Sequence, residues 1–119
     1  AATKILAIGS VEQADTWLEA LQKRLGDRLY ITKSQANFLE LAPLGISKGE
    51  ALAFLAESLG VAREEVVAFG DGMNDAEMLT YAGLGVAMGN AADGLKKFAD
   101  RVAPSIHEEG LAQVLEELF

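Results

Sequence analysis

Two short runs, VVAFG (66–70) and LGVAMG (84–89), contain only apolar residues and glycine. A strand exposed on one face alternates polar with apolar residues. A strand with no polar position is buried on both faces, as in a parallel sheet covered by helices. Around these runs the pattern turns helical. SKGEALAFLAESLG precedes the first, NDAEMLTYAG separates the two, and AADGLKKFAD follows the second. RVAP supplies a third short strand and HEEGLAQVLEELF a closing helix. Alternating elements with short connections imply right-handed βαβ units and a parallel sheet. The periodicity turns Ala51, Leu52, Leu55, Ala56 and Leu59 inward on the first helix. It groups Ala92, Leu95, Phe98 and Ala99 on the third, and Leu111, Val114, Leu115 and Leu118 on the last. Three short strands bury little. The pattern therefore reads as half of a doubly wound domain, with the other half absent or supplied elsewhere.

The residues before Ala42-Pro43-Leu44-Gly45 follow a different rule, and a domain boundary is expected there. TKILAIG reads as a strand. VEQADTWLEALQKRLG carries Ala14, Trp17, Leu18, Leu21 and Leu25 at amphipathic spacing, with Trp17 part of the core stripe. RLYITKS and NFLELA form a hairpin across Ser34-Gln35-Ala36, giving β-α-β-β over residues 1–43. The chain opens Ala1-Ala2-Thr3 straight into an apolar run. A longer protein that has been cut or cleaved is expected alongside simple loss of an initiator Met.

Composition excludes several classes. The formal charge is −8, from 18 acidic and 10 basic residues. That opposes sequence-independent nucleic-acid binding, which needs a cationic face. No apolar run approaches the ~18 residues of a membrane span, and no signal peptide is visible. There is no cysteine, hence no disulfide and no thiolate ligand or nucleophile. A cytoplasmic location fits that usage.

The chemistry gathers where VVAFG ends. Ligands of open α/β sheets collect beyond the carboxyl ends of the strands, and Gly70-Asp71-Gly72-Met73-Asn74-Asp75 stands at such an end. Asp71 would project into the crevice. Asn74 and Asp75 would open the next helix, whose N-terminus carries partial positive charge. Asp-Gly is also a common turn, and Asn or Asp a common N-cap, so each residue singly has a structural explanation. Crowded together, two carboxylates and an amide repel or go unsatisfied unless a cation answers them, so metal binding stands beside the turn-and-cap reading. Hard oxygen donors in a half-open site suit Mg²⁺, which keeps waters and shares phosphate oxygens.

Ser47-Lys48-Gly49-Glu50 has the form of a capping box, with Lys48 on the first helical residue. A cation there opposes the helix dipole. It points either to solvent or to an anion: a carboxylate such as Asp75, a phosphate, or both. Helix N-termini gather at the carboxyl edge of a parallel sheet, so Lys48 and Asp71 can share that edge. Asn90, after LGVAMG, reads as an N-cap of the following helix with a pocket-lining role as the alternative. His107 reads as a surface or capping residue, Met73 and Met78 as packing. Asp93 and the charged residues of 96–101 read as a solvated face.

GISKGEAL followed by VVAFGDGMNDAEMLTYAGLGVAMGNA resembles the haloacid dehalogenase superfamily, most closely its Cof-type phosphatases. The resemblance implies an α/β fold: residues 44–119 as the C-terminal half of a Rossmann-like core, and residues 1–43 as the end of the inserted cap. It implies Mg²⁺ as cofactor, held by Asp71 with Asp75, which supports the metal through water or pairs with the lysine. Lys48 and Asp75 are implied in catalysis. Asn74, Lys48 and, at the rim, Asn90 are implied in binding the substrate, a small phosphorylated metabolite. The implied reaction is phosphoryl transfer to an aspartate and hydrolysis of the aspartyl phosphate.

The family nucleophile lies in an Asp-x-Asp-x-Thr segment, and no Asp-x-Asp occurs here. The upstream Ser/Thr motif also has no counterpart. The chain alone is therefore expected to be inactive and to need the N-terminal half of the core as partner. Without it, an uncovered strand edge should self-associate. A non-catalytic α/β module that binds a cation or phosphate, and a structural domain with a capped turn at Asp71, are the competing expectations.

Overall fold

The structure, a computed structural model, describes residues 2–119. The chain divides into two compact units, residues 1–47 and 48–119. No helix among the described residues is long and apolar enough to cross a membrane.

The first unit is β1 (Ile5–Ile8), α1 (Val11–Leu25), β2 (Leu29–Gln35) and β3 (Phe38–Pro43). Ser10 caps α1 through a reciprocal capping box with Gln13, and Lys23 and Arg24 occupy its last turn, where they suit the helix dipole. The strands form an antiparallel sheet in the order β1-β3-β2. Ala14, Ile31, Leu39 and Ala42 form its buried centre. Trp17, Leu18, Leu21 and Leu25 are half-buried, as the stripe on α1 predicts. The hairpin turn is tighter than expected. β2 continues to Gln35 through a bulge after Lys33, and only Ala36-Asn37 lie between the strands. The bulge absorbs the residue that would otherwise lengthen the loop.

The second unit is α2 (Lys48–Leu59), β4 (Val67–Gly70), α3 (Ala76–Tyr81), β5 (Leu84–Ala87), α4 (Asp93–Lys96), β6 (Arg101–Val102) and α5 (Gly110–Leu118). Its three strands are parallel, in the order β4-β5-β6, with flanking helices. The α/β class and parallel sheet expected from VVAFG and LGVAMG are therefore present. The core joins Ala68, Leu79, Val86, Ala87, Leu95, Ala103 and Val114.

The helices depart from the expected faces. α2 packs on α3 through Gly49 and buries Ala56, with Leu52 half-buried. Ala51, Leu55 and Leu59 stay exposed, Leu59 at 68%, and Phe54 at 73%. Small residues allow the close approach to α3, and that approach turns the leucines away. The helix expected over AADGLKKFAD closes after one turn. Asp100 must reach β5, where its N–H donates to Gly85 O (2.8 Å) and its carboxylate accepts from Gly85 N (2.8 Å). Leu95 stays fully buried, while Ala92 and Phe98 are exposed. Asp100 is thus a structural anchor of the sheet rather than part of a solvated face. The last helix starts at Gly110, because a 3₁₀ turn (Ile106–Glu108) and a left-handed Glu109 precede it. Val114 is buried, whereas Leu111, Leu115 and Leu118 are each more than a third exposed.

Candidate functional site

β4 delivers Gly70 and Asp71 to its carboxyl end, and the chain turns at once through a 3₁₀ turn (Met73–Asp75) into α3. Asp75 is 3% exposed, the one buried charged residue among the described residues. A buried carboxylate demands full satisfaction. Here its Oδ2 accepts from the backbone N–H of Asp71 (3.0 Å) and of Gly72 (3.1 Å), and its Oδ1 accepts from the Lys48 ammonium. Asp75 stands at the N-cap position of α3 without capping it. Asp75 therefore opens the helix as expected, but its side chain folds back on the loop before the helix instead of capping it. Three donors on two oxygens hold that loop in one conformation.

Close backbone approach makes this arrangement fit. A Cβ on Gly70 would lie 2.6 Å from Asp75 Cβ and 3.0 Å from its Cγ, so any side chain there would displace the carboxylate. A Cβ on Gly49 would lie 2.6 Å from Glu77 Cβ and 2.7 Å from its carbonyl carbon. That absence lets the first turn of α2 sit against α3, with Lys48 on the first helical residue and its ammonium on Asp75. The anion that offsets the unfavourable placement of Lys48 at a helix N-terminus is thus the Asp75 carboxylate. The Lys48 side chain is 51% exposed, so it remains accessible to a second anion.

Lys48, Gly70, Asp71 and Asp75 line a cavity of about 710 Å³, together with Phe69, Met78, Met88, Ile106 and residues 109–112. Asp71 is exposed on it, and its backbone carbonyl accepts from Ala92 N (3.2 Å), which ties the β4 loop to the β5 loop. The structure brings Lys48, Asp71 and Asp75 together at one opening. Asn74 and Asn90 do not line it. Asn74 is half-buried in the 3₁₀ turn. Asn90 does not cap α4, whose N-cap is Ala92; its Oδ1 instead accepts from Ile106 N (2.8 Å). His107 is exposed, and its N–H bonds Ser105 Oγ (3.1 Å).

The donor set bears on a cation. Both oxygens of Asp75 already accept hydrogen bonds, so Asp71 offers the accessible carboxylate. No group of three or more His, Cys, Asp or Glu side chains converges on one point among the described residues. One exposed carboxylate beside an open cavity fits a hard ion that retains most of its waters, as Mg²⁺ does. It does not fit a cation that needs an all-protein cage. Sequence reasoning missed the cavity wall from Ile106 to Ala112, whose only local signal is a glycine after two glutamates.

The chain is similar to several known proteins. A Haemophilus influenzae protein is 46% identical over 116 residues, which is 98% of this chain and 44% of that protein. The Bacillus subtilis 5-amino-6-(5-phospho-D-ribitylamino)uracil phosphatase YcsE is 42% identical over 106 residues, 88% of this chain and 43% of its own length. A solved haloacid dehalogenase-like hydrolase of B. subtilis superposes with a TM-score of 0.86 at 38% identity, covering 98% of this chain and 41% of that one. The chain thus spans less than half the length of these relatives. The family description for haloacid dehalogenase-like hydrolases matches residues 1–115. The chain belongs to the haloacid dehalogenase-like hydrolases.

Proposed function

We propose that this chain supplies the cation- and lysine-bearing half of a Mg²⁺-dependent, Cof-type phosphatase that hydrolyses small phosphorylated metabolites through an aspartyl phosphate. One observation carries the reading: the Lys48–Asp75 pair and the accessible Asp71 carboxylate open onto one cavity at the end of β4. In this reading Asp71 holds the cation, and Asp75 holds the loop and orients Lys48. The Lys48 ammonium meets the phosphoryl oxygens and the attacking carboxylate. Bound Mg²⁺ would offset negative charge on the phosphoryl oxygens. The substrate class is supported by YcsE, whose name specifies a phosphorylated ribityl compound. Residues 1–43 serve as the end of a cap.

The nucleophile is not among these residues, since no Asp-x-Asp occurs in the sequence. It has to come from an N-terminal half of the core. β4 pairs with β5 alone, and its other edge is where such a partner strand would sit. Left unpaired, that edge favours self-association.

A chimera joining the N-terminal region of the H. influenzae relative to this chain tests the reading with a generic aryl phosphate. It should hydrolyse the ester only with Mg²⁺, and Asp71→Asn and Lys48→Ala should each abolish turnover, while the 119-residue chain alone is inactive. Hydrolysis by the chain alone, or a folded chimera without activity, would reject the proposal in favour of a non-catalytic binding module.

A further inference from the structure

The cavity has one wall that neither β4 nor α2 supplies. It is the segment 106–112, of which Ile106, Glu109, Gly110, Leu111 and Ala112 face the opening. The shape of this wall is set within the segment. Ser105 Oγ accepts from His107 N (3.1 Å), Glu108 Oε2 accepts from Ser105 N (3.1 Å), and Gly110 N donates to Ser105 O (3.0 Å). Glu109 is left-handed, with φ 57°. A Cβ on Gly110 would lie 1.9 Å from Pro104 O, so the turn closes tightly on itself.

Those bonds shape the turn, while its start is held against the sheet by Ala103 N on Ala87 O (2.9 Å) and by Gly89, where a Cβ would lie 2.8 Å from Ser105 N. The link from the turn to the loop after β5 is made by two bonds. Gly89 N reaches Pro104 O at a long 3.4 Å. Asn90 Oδ1 accepts from Ile106 N at 2.8 Å, a normal hydrogen-bond length. Asn90 is exposed, so no packing requires an amide at this position.

We propose that Asn90 is a positioning residue whose carbonyl oxygen clamps the turn at Ile106 and so sets the wall of the cavity. The role rests on reading that cavity as the phosphoryl site. It makes a chemical demand opposite to that of a direct phosphate contact. A phosphate contact would need the Asn90 Nδ2 donor, whereas the clamp needs only an acceptor. Asp in place of Asn keeps the acceptor and makes the bond charge-assisted. Ala removes it.

Amide hydrogen exchange by NMR on the 119-residue chain, without substrate or cation, separates the cases. Asn90→Ala should make the Ile106 amide exchange roughly fivefold faster, the size that one ordinary hydrogen bond supports. The β4 and β5 amides should keep their rates. Asn90→Asp should restore the Ile106 rate to that of the parent chain or slower. The inference is overturned if Asn90→Ala leaves Ile106 unchanged, or if Asn90→Asp exchanges as fast as Asn90→Ala. Acceleration that spreads across β4 and β5 would overturn it too, because the residue would then serve general stability. These rates do not depend on turnover, so failure of the phosphatase reading in the chimera leaves them as they are.

Discussion

The two units both have apolar cores but differ in where they place charge. In the first, the centre is apolar and the charges stay outside: Leu39 is fully buried, while the ion pairs Lys33–Asp15 and Lys4–Glu40 each include one well-exposed partner. In the second, a carboxylate takes a buried position at the end of β4, and glycines at 49 and 70 replace side chains that would pack. A burial that costs desolvation unless every oxygen is satisfied is a poor route to stability alone. What the second unit gains is a lysine and a loop held in one place beside an accessible carboxylate. The contrast separates a unit that keeps its charges outside from one that buries a carboxylate beside an exposed one.

Substitutions can break that contrast, beginning with the largest effect. Leu39→Ala should destabilise the first unit by about 3 kcal/mol, the range for an emptied core leucine. Urea unfolding followed by exchange in residues 1–47 measures it, and the Asp71 and Lys48 signals should stay unchanged. Asp75→Ala leaves the N–H groups of Asp71 and Gly72 without their acceptor and Lys48 without its carboxylate. The loss should be about 2–3 kcal/mol in the second unit, read by the same unfolding experiment. Gly49→Ala forces α2 off Glu77 by roughly 1 Å, since carbons rest about 3.5–4.0 Å apart. It should cost about 1–2 kcal/mol, and a hydrogen-bond coupling between the Lys48 ammonium and the Asp75 carboxyl carbon in NMR should disappear. Lys4→Ala, at the exposed end of its pair with Glu40, should change stability by less than about 1 kcal/mol, as a surface pair does. A larger loss there would mean that the first unit also leans on a charge pair.

How much was legible follows the same division. The stripe on α1, the hairpin and the two unbroken apolar strands can be read because each depends on neighbours in sequence. Gly-Asp-Gly-x-Asn-Asp and Ser-Lys-Gly point to a shared edge because a parallel sheet gathers helix starts and strand ends together. What stayed hidden depends on distant packing. Leu55 and Leu59 fit the inward face of α2 by period, yet the approach of Gly49 to Glu77 turns the helix otherwise. The α4 pattern is helical, yet Asp100 is drawn to Gly85 and ends it. Asp75 reads equally well as a ligand or a cap until its three donors are in view. Asn90 reads as a cap until Ile106, sixteen residues away, is seen to use its oxygen.

The central claim is that Asp71 carries the cation while Asp75 holds the loop and the lysine. Mn²⁺, which favours the same oxygen donors as Mg²⁺ and broadens nearby NMR signals, tests it directly on the 119-residue chain. With Mn²⁺ the amides of Asp71 and Gly72 should broaden first and sharpen again when Mg²⁺ displaces it, with those of Asp15, Asp93 and Asp100 spared. Asp71→Asn should remove the effect and leave the Lys48–Asp75 coupling in place. Broadening that persists in Asp71→Asn, or that is no stronger at Asp71 than at the other aspartates, would contradict the account.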